Sequence, residues 1–198
     1  MRNPDYHLIA LLPGSRIGEI RANLPVMIQA AKRFTDYTYA VAAAPSVPEK
    51  FYREIAQDPG LKVVFGATPT LVKYSKAALV TSGTATLETA LIGTPQVVCY
   101  RSNGSKLTYK LMEKILKVRY VSLPNLIAGN NVVPELLLHK CTADGVAREL
   151  EALLQTSPKR DWQIAGYKNV RRKLGNSVAS DYVAELIFDS LKKSEKIH

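Results

Sequence analysis

Three stretches of the chain combine glycine, hydroxyl side chains and a charged group in patterns suited to binding an anion. The strongest is Thr81-Ser82-Gly83-Thr84-Ala85-Thr86-Leu87-Glu88. An apolar run, Ala77-Ala78-Leu79-Val80, feeds directly into it. Gly83 lets the backbone approach a ligand closely, and Ser82, Thr84 and Ala85 then stand at a helix start. Free N–H groups and the positive end of the helix dipole together attract phosphate there. Glu88 lies one turn beyond Thr84 on the same face. It fits a capping box poorly, but it suits a carboxylate that accepts hydrogen bonds from a ribose diol. The plain alternative is an ordinary helix start with a solvated glutamate.

The second stretch is Leu12-Pro13-Gly14-Ser15-Arg16, which follows the first apolar run. Ser15 is the expected N-cap, and Arg16 offers a fork of donors to a phosphate. The turn is neither a Walker loop nor a dinucleotide-binding glycine motif. A plain strand–helix connection with a surface arginine is the alternative. The third stretch runs from Tyr120 to Glu135. Asn125 and Glu135 are candidates for reading a base edge or sugar hydroxyls. Otherwise the segment is a structural loop with Pro134 opening the next helix. His7, His139 and His198 show no ligand spacing, so no metal site is expected. There is no nucleophile elbow, and Cys99 reads as core.

These turns need a frame. Apolar runs predict strands over 7–12, 37–44, 61–65, 77–81 and 96–100, with a short sixth at 120–122. Helical spacing of Ile20, Leu24, Met27, Ile28, Ala31 and Phe34 predicts a helix over 17–34. Others are expected over 48–57, 70–74, 82–92 and 106–118. From Pro134 onward the pattern reads as helical, with breaks near 142, 157 and 175. Strands alternating with helices imply an α/β fold, a Rossmann-like doubly wound parallel sheet of about six strands with helices on both faces. In such sheets ligands bind at the carboxyl ends of the strands. Residues 1–177 are expected to form this domain. Residues 178–198 are expected to add a C-terminal helix that packs on a partner domain or is exchanged between copies.

Composition narrows the classes. The chain has 198 residues, 46% hydrophobic and 22% charged, which excludes intrinsic disorder. Two cysteines with no CxxC pair exclude a disulfide scaffold and a four-cysteine zinc site, and suit a reducing compartment. No apolar run approaches the ~18–20 residues of a membrane span. The first apolar stretch is too short for a signal peptide, so a cytoplasmic chain is expected. The net charge of +10 favours phosphate-bearing partners: nucleotides, nucleic acid or lipid headgroups. A single tryptophan and no series of stacking aromatics weigh against nucleic acid. Over 106–118, Lys106, Lys110, Lys114 and Lys117 form one stripe and Leu107, Leu111, Ile115 and Val118 another. Such a helix either lies on an anionic membrane or is scaffold with its lysines in water.

Taken together, Leu11-Leu12-Pro13-Gly14-Ser15-Arg16 with Glu19, the 81–88 turn with Tyr100-Arg101, and the Tyr120–Leu126 segment with Pro134-Glu135-Leu136-Leu137 resemble the C-terminal half of lipid-A-disaccharide synthase. That family is of the GT-B glycosyltransferase type. The resemblance spans about residues 7–190. It implies an inverting transfer of 2,3-diacylglucosamine from UDP to 2,3-diacylglucosamine 1-phosphate in lipid A (lipopolysaccharide) biosynthesis, with no metal or other cofactor. It implies that Gly14, Ser15 and Arg16 line the cleft beside the diphosphate, with Arg16 stabilising the departing charge. Ser82, Gly83, Thr84 and Ala85 would present donors to phosphate, Glu88 would hold the ribose, and Asn125 and Glu135 would lie near the nucleotide or sugar.

The family's N-terminal acceptor domain has no counterpart here, so the catalytic base is expected outside this chain, which alone should not turn over. Leu138 stands where the family pattern carries glutamine. The resemblance also implies UDP-2,3-diacylglucosamine as ligand and peripheral placement on the inner face of the bacterial inner membrane, and it allows a homodimer. The alternatives are another UDP-sugar GT-B glycosyltransferase or epimerase domain, or a basic membrane-surface module.

Overall fold

The computed structural model of the chain describes residues 7–81, 83–101 and 119–175. Six strands form one sheet: β1 (Leu8–Leu12), β2 (Thr38–Ala43), β3 (Lys62–Phe65), β4 (Ala77–Val80), β5 (Gln96–Tyr100) and β6 (Glu135–Leu137). Every adjacent pair is parallel, in the order β3-β2-β1-β4-β5-β6. The helices are α1 (Ile17–Ala31), α2 (Glu49–Ala56), α3 (Thr68–Lys73), α4 (Thr84–Ile92), α5 (Leu123–Ala128), α6 (Ala143–Leu154) and α7 (Pro158–Leu174). No helix of the described residues is long and apolar enough to cross a membrane.

Successive strand residues point to opposite faces, and here both faces are covered. Ile9, Leu11, Val41, Leu79 and Val97 pack with α1, α2 and α6. Ala10, Leu12, Ala40, Ala42, Ala78 and Val80 pack with α3. Val98 joins α4, α5 and α7. A strand buried on both sides must be apolar at every position, which is why these segments read as continuous apolar runs. Each fully buried leucine or isoleucine contributes roughly 1.5–3 kcal/mol. The doubly wound sheet is the architecture expected. β1 hydrogen-bonds β2 on one side and β4 on the other, so the chain leaves their carboxyl ends in opposite directions and opens a crevice.

The C-terminal third departs from expectation. The sixth strand lies at Glu135–Leu137, not at 120–122, and Pro134 precedes a strand rather than opening a helix. Val98 N donates to Pro134 O at 2.9 Å, and Glu135, Leu136 and Leu137 pair with Val98, Cys99 and Tyr100. The amides of Val121 and Ser122, by contrast, donate to the Glu135 carboxylate at 3.0 and 2.8 Å and so join no ladder. A half-buried strand of three residues has no period of its own, and its pairing with β5 decides it. Residues 123–128, read as loop, form α5 behind Ser122 with Pro124 in the first turn. The expected breaks at 142 and 157 mark real caps: Thr142 accepts from Gly145 N and Ser157 from Arg160 N. The expected helices at 106–118 and 178–193 lie outside the described residues.

Helix α7 fixes the start of β5 by an amide that imitates a strand partner. Gln163, 1% exposed, accepts from Gln96 N at 2.6 Å and donates to Gln96 O at 3.0 Å. Replacing it by leucine keeps the bulk but strands both backbone groups in the core. Each orphan costs about 1–3 kcal/mol. Gln163→Leu is therefore expected to lower stability by at least about 2 kcal/mol, measured as a reduced urea midpoint with an unchanged slope.

Candidate functional site

The crevice beyond the ends of β1, β2 and β4 holds a cleft of about 350 Å³. One wall is the turn between β1 and α1. Gly14 sits at φ +107°, where a side chain is strained, and a Cβ there would stand 2.5 Å from Glu19 Oε2. The crowding arises because Glu19 curls back over its own helix start. Its Oε2 accepts from Ser15 N at 3.1 Å and Arg16 N at 3.3 Å, and its Oε1 accepts from Arg16 Nη1 at 3.2 Å. The N-cap is consequently Arg16, not Ser15 as expected, because the carboxylate at the third helical position claims both amides. One turn on, fully buried Asn23 donates to Glu19 O at 2.9 Å and accepts from Arg101 N at 2.8 Å, tying α1 to the end of β5. At that end, burial first and the Glu19 charge second push the Tyr100 phenol above its ordinary range, against the pull of Arg16.

The opposite wall is the start of α4. Gly83 is its N-cap, at φ +132° and ψ −163°, a conformation open to glycine. Its carbonyl is taken by Thr86, through N at 3.1 Å and Oγ1 at 2.7 Å. Thr84 and Ala85 line the cleft. The N–H groups of the first two helical residues, Thr84 and Ala85, have no acceptor within their own helix, so the positive end of α4 opens onto this space. Ala42, Ala43 and Ala44, around the end of β2, and Thr81, just after β4, complete the lining. A larger depression of about 620 Å³ beside α2 is lined by Glu49, Arg53 and Asp58, where Arg53 already pairs with Glu49. Among the described residues, the first cleft joins two helix starts at the point where the strand order reverses, and the depression beside α2 does not.

Of the residues singled out from the sequence, Gly14, Ser15, Arg16, Gly83, Thr84 and Ala85 meet around this cleft. Ser82 lies outside the described residues. Glu88 is exposed on α4 and is not among the cleft-lining residues. Asn125 and Glu135 do not line the cleft, and the structure joins them to each other and to neighbouring backbone groups. Asn125 is fully buried, its Oδ1 accepting from Val132 N and Val133 N and its Nδ2 donating to Val133 O and Glu135 Oε1. An amide so engaged has nothing left to offer a ligand. Glu135 also holds Val121 N, Ser122 N and Ser122 Oγ, so the pair fastens α5 to β6.

Two residues of the cleft, Glu19 and Thr81, stand within the motifs quoted above but carry no site role there. Glu19 follows Arg16 by three, the capping-box interval, a signal hidden by counting from Ser15. Thr81 was read as the end of a strand. If Gly14 answers both to its φ and to Glu19, Gly14→Ala costs about 1–3 kcal/mol. Because the Glu19 Cβ itself would stand 2.8 Å from the new methyl group, Glu19→Ala should return only the part due to the carboxylate, whereas Glu19→Gly should return all of the crowding, and thermal-denaturation double-mutant cycles separate these from the cost of the φ.

The chain matches the family described as lipid-A-disaccharide synthetase over residues 2–187. It is 35% identical over 198 residues to the lipid-A-disaccharide synthase of Syntrophus aciditrophicus, covering 96% of this chain and 51% of that protein. It is 38% identical to that of Myxococcus xanthus, covering 94% and 50%. The chain thus spans about half the length of these relatives. Among solved structures, the calicheamicin glycosyltransferase CalG4 aligns with a TM-score of 0.54 at 14% identity, over 93% of this chain and 43% of that one. A variant of S. aureus TarM, solved with UDP among its ligands, aligns at 0.51 and 12%, over 95% and 36%. At such identities these two show a shared fold. With the match over 2–187 and relatives above 30% identity, the chain belongs to the lipid-A-disaccharide synthetase family.

Proposed function

We propose that this chain is the donor-binding half of a lipid-A-disaccharide synthase, a glycosyltransferase that moves 2,3-diacylglucosamine from UDP to 2,3-diacylglucosamine 1-phosphate with inversion. The observation that carries the reading is the single cleft that joins the Gly14 and Gly83 turns at the β1/β4 switch point. The diphosphate lies between the start of α4 and Arg16, and Glu88 accepts hydrogen bonds from the ribose diol where the nucleoside runs out along α4. When the glycosidic bond breaks, its electron pair goes to the leaving phosphate oxygen. The N–H groups of Thr84 and Ala85 and the Arg16 guanidinium meet that charge in place, which is electrostatic catalysis without a metal. The proton of the attacking acceptor hydroxyl passes to a base on the acceptor domain. Both sugars carry acyl chains, and the net charge of +10 favours an anionic surface, so we place the enzyme at the inner face of the inner membrane.

Glu19 holds the Ser15 and Arg16 amides until the donor arrives. Its exposed ion pair with Arg16 is worth only about 0–1 kcal/mol. A bidentate phosphate–arginine contact, at about 1.5–3 kcal/mol, outcompetes it.

Calorimetric titration with UDP tests the reading. One saturable site is expected. Arg16→Ala should weaken it at least tenfold, and Glu88→Ala should weaken UDP and uridine alike. Absence of UDP binding by the chain, alone and with the acceptor half of a relative added, would overturn the proposal. Binding to anionic vesicles that ignores Glu88 and falls steeply with salt would support a surface module instead.

A further inference from the structure

We infer that Thr81 donates its hydroxyl hydrogen to a phosphate oxygen of the nucleoside diphosphate, as a further binding residue at the floor of the cleft. The inference rests on the donor-binding reading above. Thr81 follows β4 directly, and its N–H donates to Leu12 O at 2.9 Å, so the residue is fixed across the gap between β1 and β4. It lines the cleft, yet it is only 4% exposed.

Its side chain breaks a rule that its neighbours keep. Buried Thr86, Thr89, Thr94 and Ser75 each donate their hydroxyl to a backbone carbonyl at 2.7 Å. Ser122 donates to Glu135 at 2.6 Å. Among the described residues, Thr81 Oγ1 and Gln96 Oε1 are the buried side-chain polar atoms with no partner. Gln96 lies away from the cleft, and its Nε2 is engaged with Thr86 O at 2.8 Å. An orphaned hydroxyl is costly where valine would have the same shape. Its place on the lining of the cleft that the two glycine turns and Arg16 share gives the reason for keeping it. Everything else on the cleft wall that donates is arranged for an anion, and an O–H aimed at a charged acceptor makes the stronger kind of hydrogen bond. The ligand group is therefore a phosphate oxygen rather than a sugar hydroxyl.

The test sets stability against affinity. Thr81→Val should weaken UDP binding about tenfold, equivalent to ~1.4 kcal/mol, while leaving the affinity for uridine unchanged. Its urea midpoint should equal or exceed that of the parent chain, because the substitution removes an unpaired buried hydroxyl. Thr81→Ser should retain most of the UDP affinity. Parental UDP affinity in Thr81→Val, equal losses for UDP and uridine, or a midpoint that falls along with affinity would each overturn the assignment. Failure of the parent chain to bind UDP would instead sink the donor-binding reading, and this inference with it.

Discussion

The parallel ladder between β1 and β4 is the constraint on which the site depends. Ile9 to Leu12 stand opposite Ala77 to Val80, and all are buried. Because β2 lies beyond β1 and β5 beyond β4, the segments leaving these two strands must part. Each turns straight into a helix, so two helix starts face one another over the space they vacate. Neither turn can be built from ordinary residues. Gly14 and Gly83 both hold φ well inside the positive range, and at Gly14 the nearest carboxylate leaves no room for a Cβ. Placing donors at this point follows from the sheet order, and the glycines are what that order demands at its seam.

A cleft built for anions nevertheless carries a carboxylate at its edge. Glu19 answers a local need, since the amides opening α1 require an acceptor, and its Oε2 serves two of them while Oε1 holds the Arg16 guanidinium. The contact is exposed on the arginine side, where Arg16 is 79% open to solvent, so water screens it. Behind it, Asn23 is fully buried and links α1 to Arg101 at the end of β5. The two differ in kind: Asn23 is a buried tie between helix and sheet, whereas Glu19 closes its own helix start at the edge of the cleft.

Sequence made the centre of the fold legible and left its edge obscure, for one physical reason. β1, β4 and β5 are covered on both faces, so their composition is forced and their limits show as apolar runs. β6 covers itself only partly, spans three residues and owes its conformation to Val98, Cys99 and Tyr100, which lie far away in the chain. The same holds for the candidate residues. Those at strand–helix turns met where the topology rule puts them. Asn125 and Glu135 looked like ligand groups because polar side chains in a loop advertise hydrogen bonds without naming the partner. Here the partners were each other and the neighbouring amides. Glu19 and Thr81 belong to the motifs the sequence displays, but nothing in their spacing alone gives them a role: one resembles an ordinary helix residue and the other the end of a strand.

The chemistry lining the cleft is one-sided. Arg16, the amides of Thr84 and Ala85 and the hydroxyls of Thr81 and Thr84 are all donors or cations. Among the described residues the one carboxylate on the lining is Glu19, already committed to three N–H contacts. Such a surface can hold a diphosphate and stabilise it as it departs, but it offers no free base to an incoming hydroxyl. Inversion at a sugar carbon requires attack from the side opposite the leaving group, so base and diphosphate donors must face each other across the substrate. A wall whose one carboxylate is already engaged suits the leaving-group side of the transfer proposed above, with the acceptor's base on the facing surface.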